Sequence, residues 1–336
     1  MENVNYFCGV DVSKETLDMA FVSNQQILLE ERIANDEKVI RQFFKKALKL
    51  FGVTINEFLI CMEHTGVYGY NLLKVANRCA FKICAESPIQ IKRSQGMVRG
   101  KNDKIDARRI AEYAEKNVLK LKLWQPQRKS IEQLKALLVI RERLVKVKTQ
   151  LQTPIQESYN LVDPSIYRSL KAGSRLTLQA LRKDIKAIEK TIMDLVKSDQ
   201  KLNQQLERAT SVPGIGNIIA LNMIVATGEF ERITQPKSFA CHAGVAPFEH
   251  SSGSSIRGKN RVSKLANMTM KKLLYLGARS AVTWNEELKH YYERKKLQGK
   301  SRMSVLNAVG NKLITRVYAC IKQDRNYIEN FKHVLA

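Results

Sequence analysis

Five short apolar runs between Tyr6 and Ser87 constrain this chain most. YFCGVDV, LDMAFVS, QILLEERIA, FLICME and FKICAES are each strand-length and rich in Val, Ile, Leu and Phe. The first three follow one another with only turn-sized gaps and read as hairpin-connected strands. Amphipathic segments separate the rest. One, from about Asp36 to Leu50, sets Val39, Ile40, Phe43, Phe44 and Leu48 on one stripe, and GYNLLKVANRCA is the second. Asp11 stands inside the first apolar run, and Glu63 ends the fourth. An unpartnered carboxylate on an apolar strand is costly to bury, so Asp11 calls for a counter-ion or a function.

Three strands, then helix, strand, helix, strand and helix, is the order of a ribonuclease H-like fold, which predicts an α/β domain over residues 1–127. Residues 128–208 change character to long helix. Leu178, Leu181, Ile185, Ile188, Ile192 and Leu195 alternate spacings of three and four, the seam of a coiled coil, and Leu137, Ile140, Leu144, Val147 and Leu151 repeat it upstream. Pro154, Pro164 and Gly173 between them predict that the two helices fold back as a hairpin or extend as arms, read as a self-associating arm or as part of an internal bundle. The region 209–336 is predicted mainly α. It opens on SVPGIGNIIALNMIVATG, where Pro213, Gly214 and Gly216 before an apolar helix suit either a helix-hairpin-helix turn approaching a DNA phosphate or a plain packing turn.

The charge narrows the partners. Among 336 residues, 57 Lys and Arg face 32 Asp and Glu, a formal net charge of +25 that calls for a polyanion. From Arg257 to Arg302 there are 13 Lys or Arg against 3 Glu. Arg257, Lys259, Arg261, Lys264, Lys271 and Lys272 are the leading candidates for phosphate contacts, with Lys101, Arg108 and Arg109 beside the acidic positions and Gly214 and Gly216 at the turn. Tyr275, Trp284, Tyr291 and Tyr292 are interleaved with that basic run and suit either base stacking or core packing. No apolar run approaches a membrane span and no signal-like leader is present, so a cytoplasmic, nucleoid-associated location is expected. The six cysteines form no CxxC pair, which points to buried, reduced thiols.

Asp103 and Asp106 lie three apart in GKNDKIDARRIAEYA and would share a helix face, where like charges repel unless a cation lies between them. With Asp11 and Glu63 they make an all-oxygen donor set suited to two Mg²⁺ ions roughly 4 Å apart, or to Mn²⁺, in phosphodiester cleavage. A solvated helix face paired with Lys101, Lys104, Arg108 and Arg109 is the alternative for Asp103 and Asp106 alone.

GVDVSK, E-x-T-G-x-Y from Glu63 to Tyr68, K-x-D-x-x-D-A-x-x-I-A from Lys101 to Ala111, PGIG, and A-G-x-x-P-(x)4-S-G from Ala243 to Gly253 resemble, in that order, the insertion-sequence one-ten transposases. That family includes Piv-type DNA invertases, and the likeness spans essentially the whole chain. It implies a RuvC-like domain whose DEDD carboxylates are Asp11, Glu63, Asp103 and Asp106, and a C-terminal domain whose essential serine is Ser252, with Ser251 second. It further implies a 5′-phosphoserine intermediate, which conserves the broken bond for rejoining. A bridge RNA paired with donor and target double-stranded DNA, and a homo-oligomer reaching a tetramer, are also implied. The sequence departs from the family after the serine, where SKLANMTMKK puts Ala266 in place of Gly and Met270-Lys271 in place of Leu-Arg; lysine keeps the charge but loses the bidentate fork.

Three rivals share parts of this pattern. A hydrolytic, Holliday-junction-type nuclease needs the fold and metals but not Ser252. A non-catalytic nucleic-acid-binding protein needs neither. A sugar-kinase-like ATPase shares GVDVSK on a first strand but needs a second glycine-rich phosphate loop, which is missing here.

Overall fold

The structure is a computed structural model describing residues 3–64, 66–94, 103–246, 248–252, 256–263 and 265–329, with the side chains of 103–104, 248–252 and 256–261 outside the described set. Backbone contacts divide the chain into two units, Met1–Pro126 and Gln127–Ala336.

The first unit holds a five-stranded sheet of β1 (Tyr6–Val12), β2 (Thr16–Ser23), β3 (Gln26–Ala34), β4 (Phe58–Glu63) and β5 (Lys82–Glu86), ordered β3-β2-β1-β4-β5. β1–β2 and β2–β3 are antiparallel, whereas β1–β4 and β4–β5 are parallel. This is the mixed sheet expected of a ribonuclease H-like domain. All five strands coincide with the five apolar runs to within a residue or two.

The two faces of the sheet have different partners. Cys8, Val10, Leu17, Met19, Phe21, Ile60, Met62 and Ile83 bury against α1 (Glu37–Phe51) and α2 (Tyr70–Arg78), which contribute Ile40, Phe43, Phe44, Leu72, Leu73 and Val75. Phe21 stacks on Phe58, with ring centroids 5.5 Å apart. Sharp caps delimit α1: the Asp36 carboxylate accepts from the amides of Lys38 (2.8 Å) and Val39 (3.2 Å), and left-handed Gly52 ends the helix. The opposite face, from Phe7, Leu59, Cys61 and Cys84, is covered by Ile110, Tyr113 and Ala114 of α4 (Asp103–Asn117). A short helix, α3 (Pro88–Ser94), follows β5.

In the second unit α5 (Lys129–Glu157) and α6 (Pro164–Ser198) form the anticipated hairpin, turning at Ser158–Asp163. Asp163 caps α6, accepting from the Ser165 amide at 2.7 Å, and Pro164 takes the first helical position, where its missing N–H is harmless. Pro154 and Gly173 break neither helix. At the base of the hairpin Ile131, Leu134, Leu138, Ile192 and Val196 join the same core as the helices that follow. Farther out, Ile140, Val147, Leu151, Leu170 and Leu176 are exposed.

The remaining helices are α7 (Gln200–Thr210), α8 (Asn217–Thr227), α9 (Pro236–His242), α10 (Met268–Trp284), α11 (Glu286–Leu297) and α12 (Arg302–Lys322). The apolar stripe of α12, from Val305 through Leu313 to Val317, is the centre of this core. Between α9 and α10 an antiparallel pair, β6 (Phe248–Ser252) and β7 (Ile256–Arg261), interrupts a region that the sequence reads as mainly α. Small polar residues gave no alternating apolar signal there, and only the backbone ladder reveals the strands. Among the described residues no helix is long and apolar enough to cross a membrane.

Candidate active site

The site is built on the α4 face of the sheet. Parallel pairing runs Gly9↔Cys61 and Val10↔Met62, so Asp11 and Glu63 are the next positions on the two central strands and share one face. Antiparallel pairing sets Asp18 of β2 opposite Asp11, and parallel pairing sets Glu86 of β5 beside Glu63. Four carboxylates therefore form one row across four adjacent strands.

α4 is pressed onto this face. A Cβ added to Gly9 would stand 2.1 Å from the Ala107 carbonyl oxygen and 2.3 Å from the Ala111 nitrogen, so only glycine admits the helix there. The Glu115 carboxylate accepts from the Gln25 amide at 3.1 Å, at the turn beside the start of β1. The helix thus runs back along β1, carrying Asp106, and the Asp103 backbone one turn earlier, toward the Asp11 end. Asp106 is half-buried and pairs with Arg109 at 3.0 Å, while Arg108 pairs with Glu30 of β3.

The outer members of the row differ in partner. Asp18 is buried and takes Arg32 at 2.9 Å, a structural pair. Glu86 is half-buried and accepts from the Tyr113 phenol at 3.4 Å. Burial holds the Glu86 carboxyl above its ordinary value, partly offset by that hydrogen bond. Tyr113 is itself pushed up to about 12, by burial and then by the Glu86 charge. Burial also raises the Cys61 thiol, with Cys84, Glu86 and Glu63 adding to it, as expected if all four occupy one face.

Loops beyond the two central strands are tied together. The Asn35 side-chain amide donates to the carbonyls of Ser13 (3.0 Å) and Tyr68 (2.9 Å), joining the turn after Asp11 to the turn after Glu63.

The chemistry of this set fits a hard divalent cation: carboxylates of neighbouring strands at one level, and a helix admitted flush by Gly9. Asp11, Glu63 and Asp106 are brought to the same end of the same face. Among the described residues no group of three His, Cys, Asp or Glu meets in metal-holding geometry. Lys101 and Lys264 lie outside the described residues, as do the side chains of Asp103, Ser251, Ser252, Arg257, Lys259 and Arg261. On the backbone, Ser252 closes β6 opposite Ile256, and Ser251 pairs with Arg257.

Asp18 and Glu86 are the row members that sequence reasoning missed. Both had a usable signal, since Asp18 interrupts the second apolar run and Glu86 is the last residue but one of the fifth.

Two transposase family models match the chain. One, the DEDD transposase domain of IS110 elements, covers residues 8–162, and the other, of the IS116/IS110/IS902 transposase family, covers residues 206–293. The chain belongs to the IS110 transposase family. It is 26% identical over 330 residues to the pilin gene-inverting protein of Moraxella bovis, spanning 96% of this chain and 97% of that one. The transposase for insertion sequence element IS1111A of Coxiella burnetii is 28% identical over 260 residues, 68% of each chain. Among solved structures, T. thermophilus RuvC in complex with Holliday junction substrate aligns at 13% identity over 36% of this chain and 99% of that chain, with a TM-score of 0.28. The sheet order, rather than that superposition, supports the fold of this IS110 member.

In the remaining IS110 motifs, the turn Val212–Gly216 joins α7 to α8. Gly214 has φ +90°, and a Cβ on it would meet the Gly277 carbonyl oxygen at 2.6 Å and the Ala281 Cβ at 2.7 Å. Its close approach is therefore to the backbone of α10. Gly216 has open space beside it and begins α8. At the family's Gly position Ala266 is buried, and Lys272 is exposed on α10 beside half-buried Lys271.

Proposed function

We propose that this transposase cuts and rejoins double-stranded DNA through a 5′-phosphoserine ester on Ser252, with Asp11, Glu63, Asp103 and Asp106 holding Mg²⁺, or Mn²⁺ in its place. The observation that carries the reading is the shared level of Asp11 and Glu63 on adjoining parallel strands, with α4 pressed against the same face at Gly9. The ions, when bound, supply positive charge at the scissile phosphate and stabilise the departing oxygen.

The protein's own groups do the rest. The Ser252 oxygen attacks phosphorus and loses its proton, the 3′-oxygen leaves and gains one, and the 5′-phosphate stays on the serine. Attack by the 3′-hydroxyl of a second strand reverses the step and frees Ser252, so no external energy source is needed. Basic residues from Arg257 to Lys272 neutralise backbone phosphates. Sequence choice is delegated to a bridge RNA, as suits a surface rich in distributed positive charge. The exposed apolar residues of the α5–α6 hairpin pair copies of the chain into dimers and tetramers.

The test incubates purified protein and Mg²⁺ with RNA transcribed from the DNA flanking its gene and with labelled donor DNA, then applies denaturing electrophoresis and peptide mass spectrometry. Wild type is expected to yield a DNA-linked peptide containing Ser252, lost in both Ser252→Ala and Asp11→Asn. Free cleaved DNA from wild type and Ser252→Ala alike would make the protein a hydrolytic nuclease instead.

A further inference from the structure

We propose that one face of α6 is a track for the phosphate backbone of double-stranded DNA, bound irrespective of sequence; this rests on the reading above that the protein acts on such DNA. Arg168, Lys171, Arg175, Arg182, Lys186 and Lys190 are all exposed on this unbroken helix. At 3.6 residues per turn they fall within an arc of roughly 100° and make a straight stripe roughly 33 Å long.

A solvated helix face ordinarily mixes signs, with an acid one turn away from each Lys or Arg. Here Arg168, Lys171, Arg175 and Arg182 have no Asp or Glu three or four residues away on either side. Lys186 and Lys190 do, in Glu189 and Asp194, yet Glu189 is taken by Arg141 of α5 at 2.7 Å. Among the described residues none of the six enters an ion pair. Arg168 Nε donates to the Pro164 carbonyl at 3.2 Å, and the Lys171 ammonium stands 5.8 Å from the Tyr167 ring, contacts that steady the side chains without supplying an anion. The stripe instead sets like charges beside one another: Arg168 and Lys171, Lys171 and Arg175, Arg182 and Lys186, and Lys186 and Lys190 are three or four apart, where they repel. A polyanion laid along the helix relieves all four repulsions at once.

The neighbouring helix shows that arrangement, and not composition, makes the track. α5 also carries six Lys or Arg, but Lys129, Lys135, Arg141, Arg143, Lys146 and Lys148 point to all sides of it. No aromatic residue falls on the α6 arc, so the stripe offers no platform for the unpaired bases of single strands or RNA loops. Charges on one straight line suit the regular backbone of a DNA duplex. The seam residues Leu178, Leu181, Ile185, Ile188 and Ile192 lie outside the arc, so the stripe and the apolar surface are different faces of one helix.

The test measures binding of the full chain to duplex DNA and to duplex RNA of equal length by fluorescence anisotropy across a salt series. The stripe variant combines Lys171→Gln, Arg175→Gln, Arg182→Gln and Lys186→Gln; the control combines Lys135→Gln, Arg143→Gln, Lys146→Gln and Lys148→Gln and loses the same charge. Each phosphate contact contributes about 0.9 to the slope of log affinity against log salt, so the stripe variant should lose about 3 to 4 in slope on DNA and the control less than about 1. Circular dichroism and thermal unfolding should match wild type, because Gln is as good a helix former as Lys or Arg. If the stripe variant does not fold, Arg175→Gln with Arg182→Gln carries the test alone, with an expected loss of about 2 in slope. Equal losses in stripe variant and control would reduce the effect to net charge and overturn the track, as would an unchanged slope in the stripe variant. A loss confined to duplex RNA would assign the face to RNA and overturn it too. If wild type does not bind duplex DNA, the reading that the protein acts on such DNA fails and takes the track with it.

Discussion

Gly9 of β1 lies so close to Ala107 of α4 that a single added methyl group would stand 2.1 Å from the Ala107 carbonyl oxygen. Backbone against backbone, neither partner has a flexible end to move. Gly9→Ala must lift the whole helix from the sheet, at a cost of about 1–3 kcal/mol as for other overpacked sites. Urea unfolding is expected to show that loss. Because α4 carries Asp103 and Asp106, Mn²⁺ affinity should fall in the same variant even at temperatures where it is fully folded.

Asp11 and Asp18 face each other across β1 and β2, yet opposite outcomes are expected on neutralising them. Asp18 accepts Arg32 Nε through both oxygens, at 2.9 and 3.1 Å, and is almost fully buried. Asp18→Asn weakens a charge-assisted pair and should cost about 1–3 kcal/mol, with DNA cutting retained at low temperature. Asp11→Asn should abolish cutting in a variant that thermal unfolding in EDTA shows to be folded. A stable, active Asp11→Asn variant would show that its carboxylate is structural.

Much of this was legible in the sequence, and the reasons can be stated for particular residues. The five strands were readable because each is a short apolar run bounded by turns, and α1 because Val39, Ile40, Phe43, Phe44 and Leu48 fall on one stripe. Asp11 and Glu63 stood out because a charge in or at the end of an apolar run breaks the pattern. Glu86 and Asp18 break the pattern of their runs in the same way, but their link to the other two lies in register: only pairing across β2, β1, β4 and β5 puts all four in one row. The β6–β7 hairpin was invisible for a different reason, since Ser and Gly carry no binary pattern and its strands are defined by backbone bonds alone.

Gly214 and Gly216 occupy one motif but meet different surroundings, which separates packing from nucleic-acid contact. Gly214→Ala places a side chain in left-handed backbone and against the Gly277 carbonyl, and should destabilise by about 1–3 kcal/mol. Gly216→Ala meets nothing within 4 Å at an extended N-cap and should cost less than about 1 kcal/mol. Denaturant titration of the two variants checks the stabilities. A fall in DNA affinity for Gly216→Ala, measured by fluorescence anisotropy with stability unchanged, would assign that glycine to phosphate approach.

Asp199 gives a pH dependence whose sign can be worked out. It caps α7 by accepting from the Leu202 amide (3.1 Å), takes the Ser130 hydroxyl (2.7 Å), and pairs with Arg128 at 3.0 Å. Burial pushes its carboxyl up, but the Ser130, Leu202 and Arg128 interactions outweigh burial and hold it below the ordinary value. A carboxyl depressed in the folded state stabilises fully above its unfolded value, about 3.9, and loses that contribution as pH falls through the lower folded value. Asp199→Asn keeps a capping oxygen and removes the charge, so it should cost about 1–2 kcal/mol at pH 7. The gap from wild type should persist down to about pH 4 and close only below it. Urea titrations of both proteins from pH 7 to pH 3 measure that gap; a difference independent of pH would mean that Asp199 acts through hydrogen-bond geometry and not through its charge.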